Sequence, residues 1–111
     1  METYAHRHLA AWNEAVATLN AEGWQAELYT MAAPVQVEGR LPTGEPFYFR
    51  SRNHEARLAI GGDDPVEFPD WERCVEQADA SWLPAEDGLA ILRGLAARYR
   101  AETKPGEGSH N

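Results

Sequence analysis

Cysteine occurs once in this chain, at Cys74, and lysine once, at Lys104. A single thiol excludes an intramolecular disulfide and the paired-cysteine spacing of a zinc ribbon, and it fits a reducing cytoplasm. Long hydrophobic runs are also missing. The longest stretch without a charged residue is the ten residues from Leu28 to Val37, against the ~18 that a membrane-spanning helix needs. The N-terminal METYAHRHLAAWNEA carries Glu2, Arg7 and Glu14 and has no apolar block of signal-peptide length. These absences predict a soluble, cytoplasmic protein that does not engage a membrane. G-x-S-x-G, Walker, H-E-x-x-H and G-x-G-x-x-G patterns do not occur, and IGGDD lacks the lysine of a phosphate loop. No catalytic residue and no cofactor are therefore assigned.

What the chain does contain is a core. Apolar residues make up 43% of 111 residues, with four Trp, four Tyr and three Phe. A domain of this length buries roughly two thirds of its unfolded surface, so residues 1–102 read as one domain. The remainder, 103–111, has too little apolar content to pack and reads as a disordered tail. Nine of the ten basic residues are Arg and Ala occurs eighteen times, a skew that points to a high-GC bacterial genome.

The net charge of −8 disfavours nucleic acid, because phosphate neutralisation supplies most of that affinity. The charge is uneven. Residues 1–39 carry −4, 40–57 carry +2, 58–92 carry −8 and 93–111 carry +2.

From Thr3 to Glu22, the residues Ala5, Leu9, Trp12, Val16 and Leu19 recur at helical spacing, with Thr3 as N-cap and Gly23 as stop. WQAELYTM then alternates with the two-residue period of a strand, Pro34 interrupts, and VQVEGRL alternates again. PTGE supplies a turn, PFYFRSR the partner strand, and EARLAI another strand beyond Asn53-His54. Val66 to Phe68 is a candidate short edge strand. Between Asp70 and Ala80, the spacing of Trp71, Cys74, Val75 and Ala78 predicts two or three helical turns in an acidic, otherwise irregular segment. Pro84 opens the last helix, Glu86 and Asp87 occupy its first turn, and Arg93, Arg98 and Arg100 crowd its end, as the helix dipole favours. Leu89, Leu92, Leu95, Ala96 and Tyr99 form its apolar stripe. The expected fold is α+β: helix, a three- to four-stranded antiparallel meander, an acidic segment and a helix. If both helices cover one sheet face, it is a two-layer sandwich.

Within FYFRSR, the strand period puts Phe47, Phe49 and Ser51 on one face and Tyr48, Arg50 and Arg52 on the other. Arg40 and Arg57 alternate onto the same outer side, giving up to four Arg around Tyr48. Fixed guanidinium groups beside an aromatic suit carboxylate, phosphate or stacked-base ligands. The plainer account is a solvated outer face on which Glu27, Glu38 and Glu55 pair with these arginines. A second candidate surface is Trp71 and Trp82 among the acids of residues 63–87, fit to steer a basic protein partner. An RNA recognition module matches poorly, since only Tyr48 among the aromatics faces outward and the βαββαβ order is absent.

His6 and His8 point about 200° apart on a helix and have no further ligands at metal spacing, so no metal site is assigned. His54 reads as a solvated turn residue and His110 lies in the tail. Cys74, flanked by Glu72 and Glu76, lacks the setting of a thiolate nucleophile and is assigned to core packing.

The run VEGRLPTGEPFYFRSRNHEARLAIGG, followed by an acidic Trp-containing segment and a short helix, resembles small uncharacterised proteins of high-GC actinobacteria. That resemblance implies a shared hairpin and an actinobacterial origin; it carries no activity and no site residues. The reading that results is a non-catalytic protein-binding or adaptor module, with self-association as one version. The alternative is a binder of an anionic small molecule or nucleotide, with or without catalysis.

Overall fold

The structure is a computed structural model that describes residues 3–29 and 34–103. Helix α1 spans Tyr4–Ala21 and is opened by Thr3, whose Oγ1 accepts from the His6 amide at 3.1 Å. Strands β1 (Gln25–Leu28), β2 (Val35–Arg40), β3 (Pro46–Arg52), β4 (Glu55–Ile60) and β5 (Trp71–Glu76) follow, then a single 3-10 turn at Ala80–Trp82 and helix α2 (Ala85–Thr103). The five strands form one antiparallel sheet whose spatial order is the chain order. The α+β architecture expected from the sequence is the one observed.

Alternation sets which face is buried. Ala26, Val35, Val37, Phe47, Phe49, Ala56, Leu58 and Ile60 turn inward and meet Trp12, Val16 and Leu19 of α1 and Leu92, Leu95 and Ala96 of α2. Each large side chain buried in this way contributes about 1.5–3 kcal/mol. Trp12 sits where the layers join. Its Nε1 donates to the Leu83 carbonyl at 2.9 Å, and its ring lies 6.3 Å from that of Phe49 and directly against Gly88. Further along the helices, Glu22 pairs with Arg93, so α1 and α2 run in the same sense over the sheet. Ser51 is the one hydroxyl on the inward face of β3, and it donates to the Ala80 carbonyl at 2.7 Å.

Three expectations are corrected. The segment from Asp70 to Ala80 is not helical: its first part is strand β5, paired to β4 from Glu55↔Glu76 to Ile60↔Trp71, so the meander has five strands. Val66 to Phe68 forms a turn, not a strand, held by Asp64 through the amides of Val66, Glu67 and Phe68. Cys74 is exposed on the outward face of β5 rather than packed in the core. Thr103 still belongs to α2, while residues 104–111 of the expected tail, and the end of the first expected strand at Thr30-Met31, lie outside the described residues. Neither described helix is long and apolar enough to cross a membrane.

Candidate functional site

The outward face of the sheet is built by the same alternation that fills the core. In β3, Phe47, Phe49 and Ser51 are buried, which leaves Tyr48, Arg50 and Arg52 facing out. Pairing then sets their neighbours: Tyr48 lies opposite Glu38 and Ala59, Arg50 opposite Gln36 and Arg57, and Arg52 opposite Glu55. Ala59, the register partner of Tyr48, is only 2% exposed although it faces outward. Burial raises the Tyr48 phenol above its ordinary value, with Arg50 acting the other way, and the protonated hydroxyl donates to Gln36 Oε1 at 2.6 Å.

At the β3–β4 turn this face becomes concave. A cleft of about 860 Å³ is lined by Arg50, Arg52, His54, Arg57, Cys74 and Gln77, among others. The chain leaving β5 forms its far wall, and backbone bonds fix that wall to the turn: the Gln77 amide donates to the His54 carbonyl at 2.9 Å and the Ala80 amide to the Asn53 carbonyl at 3.2 Å. Asn53 makes the turn possible by adopting a left-handed backbone, φ 59°, which asparagine tolerates better than most residues. Backbone bonds of the chain itself thus shape the cleft.

Its arginines are not equivalent. Arg57 is clamped: Nε and Nη2 reach Glu55 Oε2 at 3.0 and 2.6 Å, and Nη1 reaches Glu72 Oε2 at 2.9 Å. The hydrogen bond from Arg57 holds the Glu55 carboxyl below its usual range, and the two carboxylates in turn raise Arg57. Arg50 and Arg52 form no ion pair with any described residue. Of the three carboxylates expected to pair with this face, only Glu55 does so, and Glu72 of β5 supplies the other half of the clamp.

The remaining sequence-predicted residues separate. Arg40 faces out at the opposite end of the sheet, where Nη1 donates to the carbonyl of Gly44 in its own hairpin at 2.7 Å. Trp71 is 7% exposed and faces the helices, edge-on to Tyr99 at 5.4 Å, with Nε1 donating to Glu102 Oε1 at 2.8 Å and Arg73 over its ring. It is a packing residue at the C-terminal end of α2. Trp82 is 39% exposed at the other end of that helix, tilted against Tyr4 at 5.3 Å and His8 at 5.1 Å. The two tryptophans share no patch.

A second cleft, about 580 Å³, was not foreseen from the sequence as a unit. Tyr4, Trp82, Asp79 and Asp87 line it, and Asn53, Gln77 and Ala78 form a rim that it shares with the first. Asp79 and Asp87 form no ion pair with any described residue. Among the described residues no group of three or more His, Cys, Asp or Glu is placed to hold a metal ion. Comparison of the chain with protein-family models, curated proteins and solved structures returns no match.

Proposed function

We propose that this chain is a non-catalytic protein-binding module of an actinobacterial cytoplasm, gripping an acidic segment of a partner in the cleft between the β3–β4 turn and the end of β5. The observation that carries this reading is the contrast between Arg57, neutralised by Glu55 and Glu72, and Arg50 and Arg52, which line the same cleft without an ion pair. Guanidinium groups in fixed strand positions bind carboxylates in a planar, two-bond geometry. An open cleft lined mostly by charged and polar residues favours an extended chain over a small molecule, whose pockets bury most of the ligand. The surrounding negative charge limits the partner to one with a local acidic segment, and disfavours a polyanion such as nucleic acid.

A titration of isotopically labelled protein, followed by amide and arginine Nε–H resonances, tests this. A short Glu-rich peptide is expected to move Arg50, Arg52, Asn53 and His54, and to move nothing in the Arg50→Glu/Arg52→Glu variant. The volume of the cleft lies within the range of small-ligand pockets, so inorganic phosphate and a nucleotide are run alongside. A response to those anions without one to the peptide replaces this reading with the anionic small-molecule alternative, and no response from this cleft to any of them overturns both.

A further inference from the structure

Among the charges without an ion pair to a described residue, two pairs of opposite sign adjoin. Arg50 and Arg52 sit in one cleft, Asp79 and Asp87 in the adjoining one, and the rim of Asn53, Gln77 and Ala78 belongs to both. Four other arginines are matched within the molecule, Arg57 by Glu55 and Glu72, Arg73 and Arg98 by Glu102, and Arg93 by Glu22, while Arg7, Arg40 and Arg100 have no ion pair with a described residue and line neither cleft. The second cleft adds two exposed rings to its acids, Tyr4 at 57% and Trp82 at 39%. Ring faces beside carboxylates bind a guanidinium doubly, through the ring quadrupole and through hydrogen bonds to the acid. Arg, Tyr and Trp are also the residue types that anchor protein interfaces.

We infer that the acidic partner of the Arg50/Arg52 cleft is a second copy of this chain, which presents its Asp79/Asp87 cleft while receiving the same contact in return. A two-fold axis along the shared rim sets each basic cleft against the acidic, aromatic cleft of the other copy, so the contact is made twice, as an isologous interface requires. One patch carrying both signs side by side is self-complementary under that operation. The inference rests on the reading of Arg50 and Arg52 as anchors for an acidic protein surface.

Sedimentation at rising protein concentration tests it with four samples: wild type, Arg50→Glu/Arg52→Glu, Asp79→Asn/Asp87→Arg, and an equimolar mixture of the two variants. Asparagine at position 79 keeps the left-handed backbone that Asp79 adopts, φ 52°, accessible. Wild type is expected to dimerise, and to do so less in high salt. Each variant alone is expected to associate at least tenfold more weakly, since like charges then face each other. The mixture is expected to regain a one-to-one dimer, because both contacts are again between opposite signs. Thermal melts of both variants establish that they are folded, and Trp82→Ala is expected to weaken the wild-type dimer with no change of charge.

A wild type that stays monomeric, a dimer indifferent to the variants, or a mixture of folded variants that fails to associate overturns the inference. A monomeric wild type whose Arg50 and Arg52 still respond to a Glu-rich peptide leaves the acidic-segment reading standing; a monomer with no such response removes both.

Discussion

Gly88 shows most plainly how one residue holds the layers together. A Cβ there would lie 2.3 Å from two carbons of the Trp12 ring, which has no room to retreat while its Nε1 is bonded to Leu83. Gly88→Ala is expected to cost about 1–3 kcal/mol through overpacking. Gly94, in the same helix, has nothing within 4 Å of its virtual Cβ, so Gly94→Ala is expected to stabilise by about 0.5–1 kcal/mol by removing backbone freedom. Urea unfolding of the two variants should give opposite signs; equal signs would mean that Trp12 does not pin α2 as described. At the same scale, Arg50→Glu/Arg52→Glu should leave stability within about 0.5 kcal/mol, since neither arginine has an ion pair to lose. Individual outward residues were legible: Arg40, Tyr48, Arg50, Arg52 and Arg57 all face the side that alternation gave them. Of the Arg57 clamp, Glu55 was legible and Glu72 was not, because the reach of Glu72 depends on its placement in β5.

The elements differ in how openly they declare themselves. Strands β2 and β3 alternate cleanly because each has one dry face, β4 does so as far as Leu58, and both helices carry a continuous apolar stripe. Strand β5 hides its period. Arg73 occupies an inward position, which an edge strand permits: its guanidinium lies over the Trp71 ring, 5.0 Å from the centroid, and reaches Glu102 at 2.8 Å. With Arg73 inward and Cys74 outward, the apolar residues Trp71, Cys74 and Val75 mimic helical spacing.

Glu102 consequently ties α2 to the sheet edge, accepting from Trp71, Arg73 and Arg98. The Trp71 bond first, then Arg98, holds its carboxyl below the usual range. The resulting stability is present above the carboxyl's unfolded value and is lost as pH falls through the depressed folded value. Glu102→Gln is therefore expected to melt below wild type at neutral pH and to converge with it in acid; a pH-independent difference would contradict the tie.

At the opposite edge, Asn20 imitates a neighbouring strand. Its Nδ2 donates to the Ala26 carbonyl at 3.0 Å and its Oδ1 accepts from the Ala26 amide at 2.6 Å, covering backbone groups that an open edge would offer to another chain. Asn20→Ala is expected to cost about 1–2 kcal/mol and to speed hydrogen exchange at the Ala26 amide. Unchanged exchange there would mean that Asn20 does not protect the edge.

For the whole molecule, a sheet whose spatial order is its chain order made the α+β architecture readable, since every strand pairs with its sequence neighbour and no crossover had to be inferred. The two clefts were less readable, because both depend on how the chain turns after β5, through the left-handed Asp79 and the bonds of Gln77 and Ala80 to the β3–β4 turn. Arg50 and Arg52, as proposed, hold an acidic protein surface. Paired affinity capture from a lysate of the source organism addresses this directly, with wild type and the folded Arg50→Glu/Arg52→Glu variant as baits and protein and nucleic acid both read out. The expected result is a protein, a second copy included, that wild type retains and the variant releases. Equal retention of the same partners by both baits would contradict it.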